Sequence, residues 1–276
     1  MKEMSMEDIH SVSLEILKDV HQFCVENGIR YVLQGGTLLG AIRHKGFIPW
    51  DDDVDIAMPR PDYDRFIQNY KSPNGYKVFS RELPDSKDVY LAYARVCEMN
   101  DTYVDYKNLK WNGEPTGVWI DVFPLDGAEE SDELLKKRLK KIKQKADVAN
   151  FIRYSHRPFS LCTTFKKKIV WLVSKVISLF YSFNVIDKQI KLCRSEAFEA
   201  SPRYINCAFT GYGIRECHRK ECIEELVLVP FCGESFYAPK GYDEALKDKY
   251  GDYMQLPPEE KRVHRHGGHF FWKNKR

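Results

Sequence analysis

Apolar residues recur at helical spacing from the start of the chain. Ile9, Val12, Ile16, Val20 and Phe23/Cys24 mark one face of an amphipathic helix over Glu7–Asn27, which Asn27-Gly28 stops. A strand over Ile29–Leu33 then runs into Gly35-Gly36, followed by a short helix over Thr37–Arg43. Ile48 precedes a proline and is expected to be extended. Val54–Ala57 reads as a second strand, and Pro59-Arg60-Pro61-Asp62 breaks the chain before a helix over Tyr63–Tyr70. Residues 76–127 are β-rich. Tyr76–Ser80 and Trp119–Phe123 are expected strands, and Val89–Glu98 with Thr102–Tyr106 read as a hairpin around Asn100-Asp101. Leu134, Leu135, Leu139 and Ile142 among many lysines predict a basic amphipathic helix over 131–150. Leu226–Pro230 and Glu234–Ala238 read as a second hairpin, around Cys232-Gly233. A short helix over Tyr242–Tyr250 ends at Gly251. Strands and helices thus alternate in an α/β (α+β) chain. We divide it into a core at 1–127, a helical appendage at 128–200 and a segment at 201–276 that completes the core and its cleft.

The stretch Leu33–Met58 concentrates the chemistry. A glycine pair, a basic patch and then four aspartates in five positions follow one another. Alternate side chains of a strand share a face, so Asp53 and Asp55 point together while Val54 and Ile56 point into a core. Two carboxylates about 5 Å apart repel by roughly 3 kcal/mol at an effective dielectric near 20. A bound cation relieves that repulsion, and an all-oxygen set favours Mg²⁺ or Mn²⁺. The bland alternative, an acidic surface loop, fits poorly with the flanking apolar residues. Gly35 and Gly36 let backbone N–H groups approach an anion, Thr37 is placed to cap the helix that follows, and Arg43 adds positive charge. In Trp119–Phe123, Asp121 shares a face with Trp119 and Phe123. An acid there is costly to bury alone. Either a local hydrogen bond explains it or it is the third metal carboxylate, and the earlier pair favours the second. Arg95 faces either the phosphates or an exposed sheet surface.

Composition narrows the class. A chain of 276 residues with 43% apolar content builds one sizeable domain, and a net charge of +3 does not point to nucleic acid. Met1–His10 lacks a basic-then-apolar leader, and no apolar run is long enough for a membrane span. Eight scattered cysteines without a CxxC pair suit free thiols, so a cytoplasmic location is expected. Over 165–183, Phe165, Ile169, Leu172/Val173, Val176, Leu179/Phe180 and Phe183 form one face and Ser174, Ser178 and Ser182 the other, with Lys166–Lys168 at the start. This helix either packs on the protein through its apolar face or lies on an anionic membrane surface. The tail carries Arg262, His264, His266 and His269. It is either a solvated basic segment or a flap whose Arg262 and His264 meet phosphate or acceptor.

The run Gly35-Gly36-Thr37-Leu38-Leu39-Gly40 through Pro49-Trp50-Asp51-Asp52-Asp53-Val54-Asp55-Ile56 resembles the signature of the LicD family, within the nucleotidyltransferase-fold superfamily. The resemblance continues at Trp119–Gly127, at Tyr242-Asp243 and at Tyr250–Pro258, and is weakest over roughly 128–200. It implies a mixed sheet flanked by helices, with the third acid on a later strand at Asp121. It also implies transfer of a phospho-alcohol, typically phosphocholine from CDP-choline, to a glycan of a teichoic acid, capsular polysaccharide or lipopolysaccharide, with release of CMP. A glycan carried on lipid would bring the enzyme to the inner face of the membrane. In this reading Asp53, Asp55 and Asp121 hold one or two Mg²⁺ ions, Asp121 helps deprotonate the acceptor alcohol, and Gly35, Gly36, Thr37 and Arg43 grip the phosphates. Two alternatives stay open: transfer of a nucleoside monophosphate from a nucleoside triphosphate to a small molecule or protein, and a non-catalytic glycan- or partner-binding module.

Overall fold

A computed structural model of the chain describes residues 1–84, 86, 89–105, 116–263 and 269–273. After a two-residue strand β1 (Lys2–Glu3), helix α1 spans Met6–Glu26. Its start is set by a reciprocal cap. The Ser5 hydroxyl accepts from Asp8 N at 3.1 Å, and the Asp8 carboxylate accepts from Ser5 N at 3.0 Å. Its stripe Ile9, Ile16, Leu17, Val20 and Cys24 is buried against the sheet. Strand β2 is only Val32–Leu33, and helix α2 covers Gly35–His44. This helix begins two residues before the expected start. Its N-cap is Gln34, so Thr37 lies inside the helix and does not cap it.

Strand β3 (Asp55–Pro59) leads directly into helix α3 (Arg60–Asn69), then β4 (Lys77–Phe79), β5 (Ala94–Glu98), β6 (Thr102–Asp105) and the long β7 (Val118–Ala128). The main sheet runs β2-β3-β7-β5-β4. Strands β3 and β7 are parallel and the other neighbours in this order antiparallel. Every residue of β7 is buried, as expected for a central strand with neighbours on both edges.

The expected hairpin over 89–106 does not form. Strand β5 joins the main sheet, whereas β6 pairs with a late strand described below. The reason is local. The Glu98 carboxylate accepts from the backbone N–H of Asn100, Asp101 and Thr102 at 2.7–3.0 Å, which turns the chain without returning it along β5. Tyr106, at the end of that expected strand, lies outside the described residues.

The middle of the chain supplies helices α4 (Asp132–Ser155), α5 (Phe165–Phe180) and α6 (Asn184–Cys193). Ala149, Ile152, Val185, Ile186 and Ile190 from α4 and α6 share one core with Val32, Ala57, Phe123 and Leu125 of the sheet. Strand β8 (Arg203–Ile205) then pairs with the far end of β7, and β9 (Cys217–Arg219) pairs with β8. A single turn α7 (Glu221–Glu224) precedes the hairpin β10 (Leu226–Phe231) and β11 (Glu234–Pro239). Cys232 and Gly233 form its turn with φ of 54° and 85°, the double left-handed geometry of a type I′ hairpin. Helix α8 (Tyr242–Tyr250) and strand β12 (His269–Trp272) complete the chain, with β12 lying between β1 and β6. A buried Arg60 ties the layers together. Its Nε and Nη2 donate to the two Asp126 carboxylate oxygens at 2.7 and 2.8 Å, and its Nη1 reaches Glu82 at 3.0 Å.

Candidate active site

The register of three strands builds the site. Asp55 of β3 lies opposite Asp121 of β7, and Asp121 lies opposite Arg95 of β5. These three residues therefore form one row across one face of the sheet. Asp53, two residues before Asp55, projects on the same side. The other face carries Ile56, Ile120, Val122, Ala94 and Val96, all fully buried. The alternation that predicts this split in sequence is the pleat itself. Ligand oxygens of Asp53, Asp55 and Asp121 all lie within 4.8 Å of one another, and those of Asp51, Asp52 and Asp53 form a second such group.

Charge is concentrated here. Burial, reinforced by Asp53 and Asp121, pushes the Asp55 carboxyl well above the usual carboxylate range, and only Lys249 among its strongest influences opposes the shift. Arg95 Nε donates to Asp121 Oδ1 at 2.7 Å, with the guanidinium stacked 4.4 Å from the centroid of the Trp119 ring. Arg95 thus faces the site and not an outer surface, and its Nε is engaged by a carboxylate.

The start of α2 is pressed against the acids. Gly35 has φ +58°, and a Cβ there would lie 2.9 Å from Asp55 Oδ2. A Cβ on Gly36 would lie 2.3 Å from Asp51 Oδ2. No larger residue fits without displacing a carboxylate, and the N-terminus of α2 places a positive dipole end beside them. Thr37 is buried and does not line the cleft. Its Oγ1 accepts from Asp55 N at 2.8 Å, so it fastens α2 to β3 and is not placed to grip a phosphate.

These side chains form the floor of a cleft of about 1380 Å³. That exceeds the roughly 300–1,000 Å³ of a site for one small ligand and suits two substrates. Arg43 lines it, with Nη1 donating to the carbonyls of Tyr253 and Gln255 at 2.8 and 3.3 Å. Arg262 also lines it, with Nε donating to the Pro257 carbonyl and its guanidinium 5.5 Å from the centroid of Trp50. His264 lies outside the described residues, and His269 is paired with Glu3 in β12.

Sequence reasoning missed a buried polar group at the same floor. Lys249 of α8 pairs with Glu216, whose other oxygen accepts from Gln34 Nε2 at 2.9 Å. The Lys249 ammonium is 4.3 Å from the centroid of Tyr212 and approaches Asp55 across Gly35. Glu216 ends a short 3₁₀ helix, Gly213–Glu216, that carries no sequence signal, and Lys249 reads only as a helix residue until the fold brings it over. A row of rings, Tyr93–Phe123–Phe209–Tyr212–Tyr250, runs along the wall with centroids 4.4–6.2 Å apart. Arg153 in the last turn of α4 and Arg157 just beyond that helix add cations to the lining.

Comparison with known proteins adds an independent line. Residues 28–159 match the family described as LicD/FKTN/FKRP, nucleotidyltransferase domain. The chain is 30% identical over 271 residues to lipopolysaccharide cholinephosphotransferase LicD of Haemophilus influenzae, covering 94% of this chain and 95% of that protein. It is 46% identical over 54 residues to an uncharacterized protein of Rickettsia typhi, covering 20% of this chain and 18% of that one. It is 40% identical over 98 residues to human ribitol 5-phosphate transferase FKRP, covering 34% of this chain and 20% of that protein.

Proposed function

The chain belongs to the LicD family, and from that premise we propose that it moves a phospho-alcohol from a CDP-alcohol to a hydroxyl of a cell-surface glycan, releasing CMP. Phosphocholine from CDP-choline is the first choice, because the relative that spans nearly the whole chain is named for cholinephosphate transfer to lipopolysaccharide. The shorter match to a ribitol 5-phosphate transferase keeps the class of alcohol wider than choline. Lipopolysaccharide, teichoic acid and capsular polysaccharide are the candidate acceptors. We place the reaction in the cytoplasm, with a lipid-linked acceptor presented at the inner face of the membrane.

The observation that carries this reading is the convergence of Asp53, Asp55 and Asp121 on one face of the cleft. Three carboxylate donors with no sulfur or imidazole among them suit Mg²⁺ or Mn²⁺. The raised Asp55 carboxyl marks a site that gains from a cation. Bound there, the metal would act as a Lewis acid toward phosphoryl oxygens. The chain's own residues do the rest. Arg95 holds Asp121 in place, Thr37 holds the backbone of Asp55, and the α2 N-terminus offers N–H groups toward anionic oxygen. Asp121 would help to take the proton of an attacking hydroxyl.

The test is a donor screen. Purified protein with Mg²⁺, CDP-choline and an acceptor glycan should release CMP and add the mass of phosphocholine to the glycan. Labelled CTP appearing as a nucleotide adduct on the acceptor would instead support a nucleotidyltransferase. Metal binding without turnover of any CDP-alcohol or nucleoside triphosphate would support a binding module.

A further inference from the structure

Helix α5 inverts the usual placement of an amphipathic helix. Its small polar face turns inward: Ser174 is fully buried and donates to the Val170 carbonyl. Its apolar stripe turns to solvent. Phe165, Leu179 and Phe180 are 78–80% exposed and Leu172 61%, with Val176 and Ile169 about half exposed. A helix of a globular protein hides this face, and an exposed apolar area of this kind marks an interaction surface. On a wheel advancing about 100° per residue, Lys168 and Lys175 border the stripe on one side and Lys166 on the other.

We propose that α5 is a membrane-docking helix that lies in the plane of an anionic lipid surface, with its apolar stripe among the acyl chains and its lysines at the headgroups. This deepens the reading above by placing the acceptor's lipid, but it does not depend on which phospho-alcohol is moved. Length argues against a span. Sixteen residues at 1.5 Å each reach about 24 Å, short of a hydrocarbon core near 30 Å. No single helix among the described residues is long and apolar enough to cross a membrane. Helix α6 follows after a bend of 84°, and its Val185, Ile186 and Ile190 are already buried in the protein's own core. Charge argues against a second copy of this chain as the occupant. Two such stripes laid face to face bring lysine borders together, whereas anionic headgroups complement them.

The docked helix also serves the cleft. Trp171 Nε1 donates to the Arg157 carbonyl at 2.8 Å, and the Arg157 side chain lines the cleft. One residue therefore separates the docking helix from the site, and the cleft lies at the lipid surface where a lipid-carried glycan begins.

Sedimentation with vesicles tests this without reference to activity. The full chain should bind vesicles of phosphatidylglycerol mixed with phosphatidylcholine, and bind pure phosphatidylcholine far less. Leu172→Glu with Leu179→Glu, both at exposed positions, should lower the bound fraction about tenfold or more while the circular dichroism spectrum and melting temperature hold. Lys166→Glu with Lys168→Glu should remove the preference for the anionic vesicles. The proposal is overturned by absence of vesicle binding, by undiminished binding of the leucine variant, or by a dimer in solution that the leucine variant splits into monomers.

Discussion

Replacing Asp55 by asparagine removes one of three carboxylates whose ligand oxygens lie within 4.8 Å of one another. At that separation and an effective dielectric near 20, each like-charge pair costs about 3.5 kcal/mol. Asp55 faces two such partners, with Asp51 a further like charge and the Lys249 ammonium opposing them. Half-burial and screening by salt reduce the remainder to about 1–2 kcal/mol. The change nearly preserves volume and removes the charge, so the variant without metal should be more stable than its parent. In a chain of this size that is a rise in melting temperature of roughly 2–8 °C in chelator. The pH dependence has a definite sign. The folded pKa of Asp55 is raised, so the folded protein binds its proton more tightly than the unfolded chain does. Acidification through that window stabilises the metal-free parent, and stability is lost as pH rises toward the folded pKa. The variant lacks that component. Mg²⁺ should stabilise the parent by about 1.4 kcal/mol at ten times its dissociation constant, raising its melting temperature, and leave the variant unmoved. CMP release should be lost with it. Scanning calorimetry in chelator and in Mg²⁺ settles the matter. A variant less stable in chelator, beside a parent indifferent to Mg²⁺ and Mn²⁺, would refute the idea that electrostatic strain at this site is relieved by a cation.

Three other outcomes follow from the same structure. Gly35→Ala adds a Cβ 2.9 Å from Asp55 Oδ2 at a residue with φ +58°; it should cost about 1–3 kcal/mol and abolish the Mg²⁺-dependent rise in melting temperature, and a fully active variant would contradict the close fit. Asp126→Ala leaves the Arg60 guanidinium buried without its bidentate partner; urea unfolding should show a loss of about 3–5 kcal/mol, and a loss under about 1 kcal/mol would show that Glu82 suffices. Burial holds the His218 pKa below its ordinary value, outweighing Glu216 and Asp248. The folded chain thus resists protonation, and stability falls as pH drops below about 6.5. The difference in stability between parent and His218→Gln should shift against the parent over that range, and a pH-independent difference would remove His218 from the account.

Backbone geometry alone made several features legible. The 3.6-residue period marked α1, the two-residue period split Asp121 from Ile120 and Val122, and Cys232-Gly233 announced the turn between β10 and β11. Each of these depends on neighbours within a few positions, so the chain carries it wherever it sits. The acid pair at Asp53 and Asp55 was visible for the same reason. What the linear order could not supply were partners drawn from distant segments. Arg95 meets Asp121 because β5 and β7 are adjacent in the sheet, and Lys249 reaches Glu216 because α8 returns to the floor of the cleft. The expected hairpin after β5 failed because one carboxylate, Glu98, gathers the N–H groups of Asn100, Asp101 and Thr102 into a turn that does not lead back along β5. Helix α5 shows the division most clearly. Its stripe of apolar residues is written in the sequence, but whether a stripe is covered depends on the surface left over once every other element has packed, and here that surface accepted the serine face instead.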